Sequence, residues 1–277
     1  MRKMINRSEN LKRVFVSLIA IPIILIGTYL GGYYFFAFVA IISLISFFEF
    51  SLLVKNKGAN VNLLLGAAVI FIFLINQFIG FIELTTIIVL SSLLLLTFEL
   101  FRNKGSAIIN LGATFLGIFY IGIFSVTLIA LREYYPSDND LNINGAYLII
   151  SILVSIWIGD SAAYYGGITL GRHKLFPRVS PKKSWEGAIF GFIFSVGVII
   201  LAKVLVLNFL SWVDVLFIGI IIGTIGQIGD LVESLLKRDS EVKDSSSLIP
   251  GHGGFFDRFD SLLFCAPAIW IYLKYFA

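Results

Sequence analysis

The chain is 277 residues long, 58% apolar and only 14% charged, with a formal net charge of +4 and a mean hydropathy of +0.94. Soluble domains carry about 25% charged residues, so this balance excludes an ordinary globular enzyme, and the lack of an extended basic domain argues against a nucleic-acid partner. The single cysteine, Cys265, lies in an apolar run and leaves no disulfide framework, no cysteine metal cluster and no basis for redox chemistry.

Apolar runs near or above the roughly 20 residues that cross about 30 Å of hydrocarbon recur along the chain, without the strict alternation of a barrel strand. The expected class is all-α, a polytopic helical membrane protein. Helices are expected over 14–30, 33–54, 61–79, 81–101, 107–131, 145–165, 185–207, 211–236 and 259–276, nine in all. The first follows five basic residues, as a signal peptide would, but no small-x-small cleavage site closes it and further spans follow, so it reads as retained. With the amino terminus in the cytoplasm, 18 of the 21 Lys/Arg fall on that side. Only Arg132, Lys203 and Lys274 fall on or near the other, whose longest loop, REYYPSDNDLNI, is acidic, as the positive-inside rule requires. Such a basic face would also attract anionic lipid headgroups. Charge within the spans is sparse before residue 140, where Glu49, Glu83 and Glu99 stand near span ends, and richer after it. One continuous membrane domain is therefore expected, with an amino-terminal scaffold half, 1–140, and a carboxy-terminal catalytic half, 141–277.

Candidate chemistry begins at Asp160, in IWIGDSAAYYGG near the end of the sixth span. A carboxylate there is expensive unless it faces a cavity, a cation or a partner; the plain alternative is a structural hydrogen bond shared with Tyr164, one turn on. The following loop, 166–184, holds five basic residues and no acid until Glu186. Ser184 can cap the seventh helix with Lys182 and Lys183 beside its positive end, an arrangement suited to phosphate, though a basic loop also serves simply as an orientation anchor. No Walker-type GxxxxGK[ST] loop is present. In GQIGDLVESLLKRD, Asp230, Glu233 and Lys237 share one helical face, and Gly223, Gly226 and Gly229 permit close helix packing.

The segment KRDSEVKDSSSLIPGHGGFFDRFD then turns sharply polar. Gly251, Gly253 and Gly254 let backbone N–H groups approach an anion, and Asp257 and Asp260 share a helix face. Asp230, Asp257 and Asp260 meeting at one membrane edge would suit Mg²⁺, which prefers oxygen ligands, whereas two histidines and one cysteine do not suit zinc. Lys182, Lys183, Lys237, Arg238, Lys243 and Arg258 are the candidates for neutralising phosphates. His252 stays open as a general base, a phosphate donor or a cap, because the second ionisation of a phosphate monoester, near pKa 6, leaves a base little to do.

The stretch 234–260, read S-L-L-K-R-x4-K-D-x-S-x2-I-P-x-H-G-G-F-x-D-R-F-D, resembles the signature of phosphatidate cytidylyltransferases, also called CDP-diacylglycerol synthases. Asp160-Ser161 and SPKKSWEG resemble that family too, so the likeness covers about the last 120 residues, while the amino-terminal half agrees only in being hydrophobic. The resemblance implies an enzyme of the bacterial inner membrane, its site facing the cytoplasm, that is Mg²⁺-dependent, works as a homodimer and makes CDP-diacylglycerol from CTP and phosphatidic acid. By resemblance and position together, Asp230 and Asp257 are the expected metal ligands, with Asp260 close by for a second cation. Asp160, Ser180, Lys182, Lys183, Ser184, Glu186, His252, Gly253 and Gly254 are expected to line the substrates. The rivals are a CTP-dependent lipid kinase of the polyprenol or phytol type and an ion-coupled transporter, whose broken helices would lie near mid-membrane. Phosphatidyltransferases that consume CDP-diacylglycerol lack support, since their D-G-x2-A-R-x8-G-x3-D-x3-D pattern is absent.

Overall fold

The computed structural model describes residues 7–135, 141–246, 248–249 and 253–277. Among the described residues, nine helical rods follow one another: α1 Arg7–Leu30, α2 Gly32–Lys55, α3 Leu63–Ile79, α4 Leu84–Leu100, α5 Ala107–Arg132, α6 Ile143–Leu170, α7 Trp185–Leu205, α8 Trp212–Asp239 and α9 Phe256–Tyr275. They fall on the expected ranges with shifted ends: α1 starts at Arg7 rather than 14, and α6 runs on to Leu170 rather than 165. Five of them, α2, α5, α6, α7 and α8, are long and apolar enough to cross a membrane by length and composition. The apolar helices α3 and α4 are shorter, 17 residues each, and α9 carries Asp257, Arg258, Asp260 and Lys274.

The helix starts follow the polar punctuation of the sequence. Asn62, Ser106, Asn142 and Ser184 each accept a hydrogen bond from the backbone N–H three residues on, and Ser211 with Asp214 closes a capping box. Gly80 ends α3 in the left-handed region at φ 74°. Two rods carry a wide π turn, Ile118–Ile123 in α5 and Ile222–Gly226 in α8, a geometry that often marks functional sites. Part of the basic loop forms a short antiparallel hairpin, β1 Lys174–Phe176 with β2 Ser180–Ser184. Pro177 sits in its turn, and the Trp185 N–H donates to the His173 carbonyl at 2.9 Å, closing the open end.

Side-chain bonds sort the loops into two ends. At one end Lys57 meets Asp239 and Glu241, Arg102 reaches the Asn60 carbonyl and Arg238 donates to the Val179 carbonyl of the hairpin. At the other, the fully buried Arg132 donates to the carbonyls of Thr28, Tyr29, Leu141 and Asn142, tying the end of α1 to the start of α6. Its charge therefore meets backbone carbonyls, two of them at the end of α1, rather than an acid. Outward faces are apolar: Ile19 and Ile23 of α1, Leu90 and Leu94 of α4, and Ile189 and Ile193 of α7 are all exposed.

The tightest seam joins α6 to α7 through small residues. A Cβ on Gly187 would sit 2.6 Å from the Ala163 carbonyl oxygen, and one on Gly191 would sit 3.2 Å from that of Gly159. Backbones in such contact hold the hairpin at a set height on the bundle. The Gly223, Gly226 and Gly229 run packs on both sides, Gly223 against Phe192 of α7, Gly226 and Gly229 against Cys265 and Phe264 of α9.

Candidate active site

At the basic end a cavity of about 640 Å³ opens between α6, α7, α8, α9 and the hairpin. Its acidic wall comes from Asp160, Asp230, Glu233, Asp257 and Asp260, and its basic wall from Lys182, Lys183, Lys237 and Arg258. Residues up to about 100 positions apart thus meet because α8 and α9 pack side by side while the α6–α7 seam sets the hairpin above them.

Three carboxylates gather most closely. Oxygens of Asp230, Glu233 and Asp260 all lie within 4.8 Å of one another, with Glu233 1% and Asp260 8% exposed. Asp230 and Glu233 come from successive turns of α8, and Asp260 from the first turns of α9. Lys183 pairs with Asp230 from the hairpin. Lys237 Nζ lies 2.6 Å from Glu233 and 2.6 Å from Asp257, bridging the two helices. Neither oxygen of Glu233 accepts a well-directed hydrogen bond among the described residues; the Lys237 contact is an ion pair outside hydrogen-bond geometry. A buried carboxylate without a directed donor, beside two more, is a donor set suited to a hard divalent cation.

Asp257 lies across Lys237 from Glu233, outside the trio's 4.8 Å grouping. Its Oδ1 accepts from Lys237 at 2.6 Å, and its Oδ2 from Ser245 N, Ser245 Oγ and Gly254 N at 2.8–2.9 Å. Gly253, at φ 81°, makes the turn that aims the Gly254 N–H at this carboxylate. Asp160 opens to the cavity and makes no hydrogen bond among the described residues; Tyr164 beside it is 64% exposed, so the hydrogen bond weighed for that pair is not formed.

The other expected residues divide between the cavity and its surroundings. Ser184 lines it while capping α7. Glu186 grips His173, Oε1 to Nδ1 at 2.6 Å, and so latches the hairpin to α7. Arg238 is committed to the Val179 and Val242 carbonyls, Ser180 pairs with Phe176 in the hairpin, and Lys243 is exposed outside the cavity. His252 lies outside the described residues.

Three residues that the expected set left out matter here. Glu233 was legible as part of the α8 stripe, one turn from Asp230. Glu49, a lone acid in SFFEFSLL, is 0% exposed and accepts four hydrogen bonds from residues 245–256. Tyr120, in the wide turn of α5, packs edge-on against Phe256 at 5.5 Å with its buried hydroxyl lacking a hydrogen bond; no local pattern announces it.

Comparison with known proteins places the whole chain in one family. A model of the cytidylyltransferase family matches residues 11–276, so the likeness extends through the amino-terminal half as well. The chain is 30% identical over 271 residues to the phosphatidate cytidylyltransferase of Bacillus subtilis, covering 96% of this chain and 98% of that protein. It is 33% identical over 270 residues to the enzyme of that name from Staphylococcus haemolyticus, covering 96% and 98%. The Synechocystis protein of the same name is 31% identical over 291 residues, covering 95% and 96%. The chain belongs to the cytidylyltransferase family.

Proposed function

We propose that this protein transfers the cytidylyl group of CTP to phosphatidic acid, giving CDP-diacylglycerol and pyrophosphate. One observation carries the reading: cations of the hairpin and carboxylates of α8 and α9 line a single cavity whose rim, at Tyr164 and Ile168, is exposed and apolar. The acyl chains stay in lipid beside that rim while the headgroup enters. A phosphate oxygen of phosphatidate attacks the α-phosphorus of CTP in line, the bond to the bridging oxygen breaks, and pyrophosphate leaves with that electron pair. Two polyanions repel strongly in a low-dielectric cleft. Lys182, Lys183 and Arg258 line the cavity and are assigned to holding them together and spreading the charge of the transition state.

Mg²⁺ fits the oxygen-only trio, and Asp230, Glu233 and Asp260 would hold it, where it would polarise a phosphoryl oxygen as a Lewis acid. Asp257, expected from the sequence as a ligand, shares Lys237 with Glu233; the role assigned to it here is to hold Lys237 and the loop. The alternation of basic and non-basic loops supports nine spans with the amino terminus and the cavity in the cytoplasm of a bacterial inner membrane. The division into a scaffold half, 1–140, and a catalytic half, 141–277, and the homodimer stand as part of the same proposal.

Purified protein given CTP labelled in the cytidine, phosphatidic acid and Mg²⁺ is expected to yield lipid-extractable label and stoichiometric pyrophosphate, both lost on chelation. Release of free CDP with unlabelled phospholipid would instead identify a lipid kinase.

A further inference from the structure

Glu49 is a carboxylate with 0% exposure on α2, in the amino-terminal half, and it does not line the cavity. Its Oε1 accepts from Ser246 Oγ at 2.6 Å and Phe255 N at 3.0 Å, its Oε2 from Ser245 Oγ at 3.0 Å and Phe256 N at 2.8 Å. No ion pair involving Glu49 occurs among the described residues. What offsets its charge is therefore the start of α9: two N–H groups there that have no partner inside the helix, and the positive end of the helix dipole.

The same loop carries Asp257. Ser245 Oγ lies 2.8 Å from Asp257 Oδ2 as well as 3.0 Å from Glu49, so one hydroxyl proton serves two carboxylates. From Asp257 the chain of contacts runs through Lys237 to Glu233, 2.6 Å at each step. Gly254 lies between: a Cβ there would stand 2.0 Å from Ser245 Oγ and 2.5 Å from Glu49 Oε2, so only glycine leaves room for the clamp. Phe50, on the residue after Glu49, packs edge-on against Phe256, and Tyr120 does so from α5. The amino-terminal half thus grips the first turn of α9 by charge and by packing.

We infer that Glu49 is a positioning residue for the transfer reaction: it ties Ser245 and Ser246 to the start of α9 and so sets Asp257, and through it Lys237, against the carboxylate trio. The inference rests on the reaction proposed above. It acts at a distance from the hairpin lysines, so it governs turnover rather than nucleotide affinity.

Glu49→Gln keeps the size of the side chain but turns an NH2 toward donors. The expected result, per folded molecule in detergent, is a kcat about ten- to a hundredfold lower with KM for CTP changed less than about twofold. Glu99→Gln is the control, a second buried acid of the same half, held by Asn110 and Arg102 away from α9; it is expected to lower the unfolding temperature and spare kcat. Ser245→Ala combined with Glu49→Gln is expected to lose less than the product of the two single losses, since both act through one loop. Should Glu49→Gln not fold, Ser246→Ala removes one bond to Oε1 and is expected to show the same lowered kcat and unchanged KM. Wild-type kcat in the folded variants, or a kcat loss as large in Glu99→Gln, overturns the inference. A parent protein that labels no lipid fails the reaction itself, a separate result.

Discussion

Lys183 and Lys237 each lean on a carboxylate of the cavity, so their charges are placed before any phosphate arrives. Replacing Lys182 or Lys183 by Ala is expected to remove a charge-assisted contact of about 1.5–3 kcal/mol, or roughly ten- to a hundredfold in kcat/KM for CTP. Lys55→Ala, at an exposed lysine outside the cavity, is expected to change that ratio little. Steady-state kinetics on the three variants decide it, and equally small losses would leave the hairpin as an orientation anchor. At this scale the sequence was informative about residue type and poor about partnership. Asp230, Asp257 and Asp260 could be singled out by spacing, yet which of them gather depends on how α8 packs against α9, and that brings Glu233 beside Asp230 and Asp260 and sets Asp257 across Lys237 from it.

Among the elements, α7 carries the most consequence per residue, because its first turn supports the hairpin and its glycines press on α6. Gly187→Ala is expected to destabilise the protein by about 1–3 kcal/mol, since the added methyl meets a backbone carbonyl that cannot swing aside. Gly197→Ala, on the exposed face of the same helix with nothing within 4 Å, is expected to be neutral or to stabilise by up to about 1 kcal/mol. Unfolding temperatures in one detergent compare the pair. The rods themselves could be read from apolar run length, and their starts from Ser184, Ser211 or Asn142, since capping is local. The start of α9 could not: it lies at Phe256, three residues before the expected 259, because the groups that receive its first N–H bonds include Glu49 from the far half of the chain. The hairpin was hidden for another reason, its strands being three and five residues long with a register irregularity between them.

For the whole molecule, the sorting of loops into two ends makes sidedness testable. In a Cys265→Ala background, Arg178→Cys on the hairpin is expected to resist an impermeant thiol reagent on intact cells and to react once they are opened, whereas Asn139→Cys, outside the described residues, is expected to react at once. Labelling of both on intact cells would break the nine-span arrangement. The grip of Glu49 on the loop has a further consequence for biosynthesis. Its partner Ser245 lies 196 residues downstream, which at about 5–20 residues per second is roughly 10–40 s of translation. Throughout that interval the nascent amino-terminal half carries a carboxylate in an otherwise uncharged helix face with none of its native donors yet made. The contacts around Glu49 can form only after its partners at residues 245–256 have been made, so the step that neutralises this carboxylate is also the one that sets Asp257.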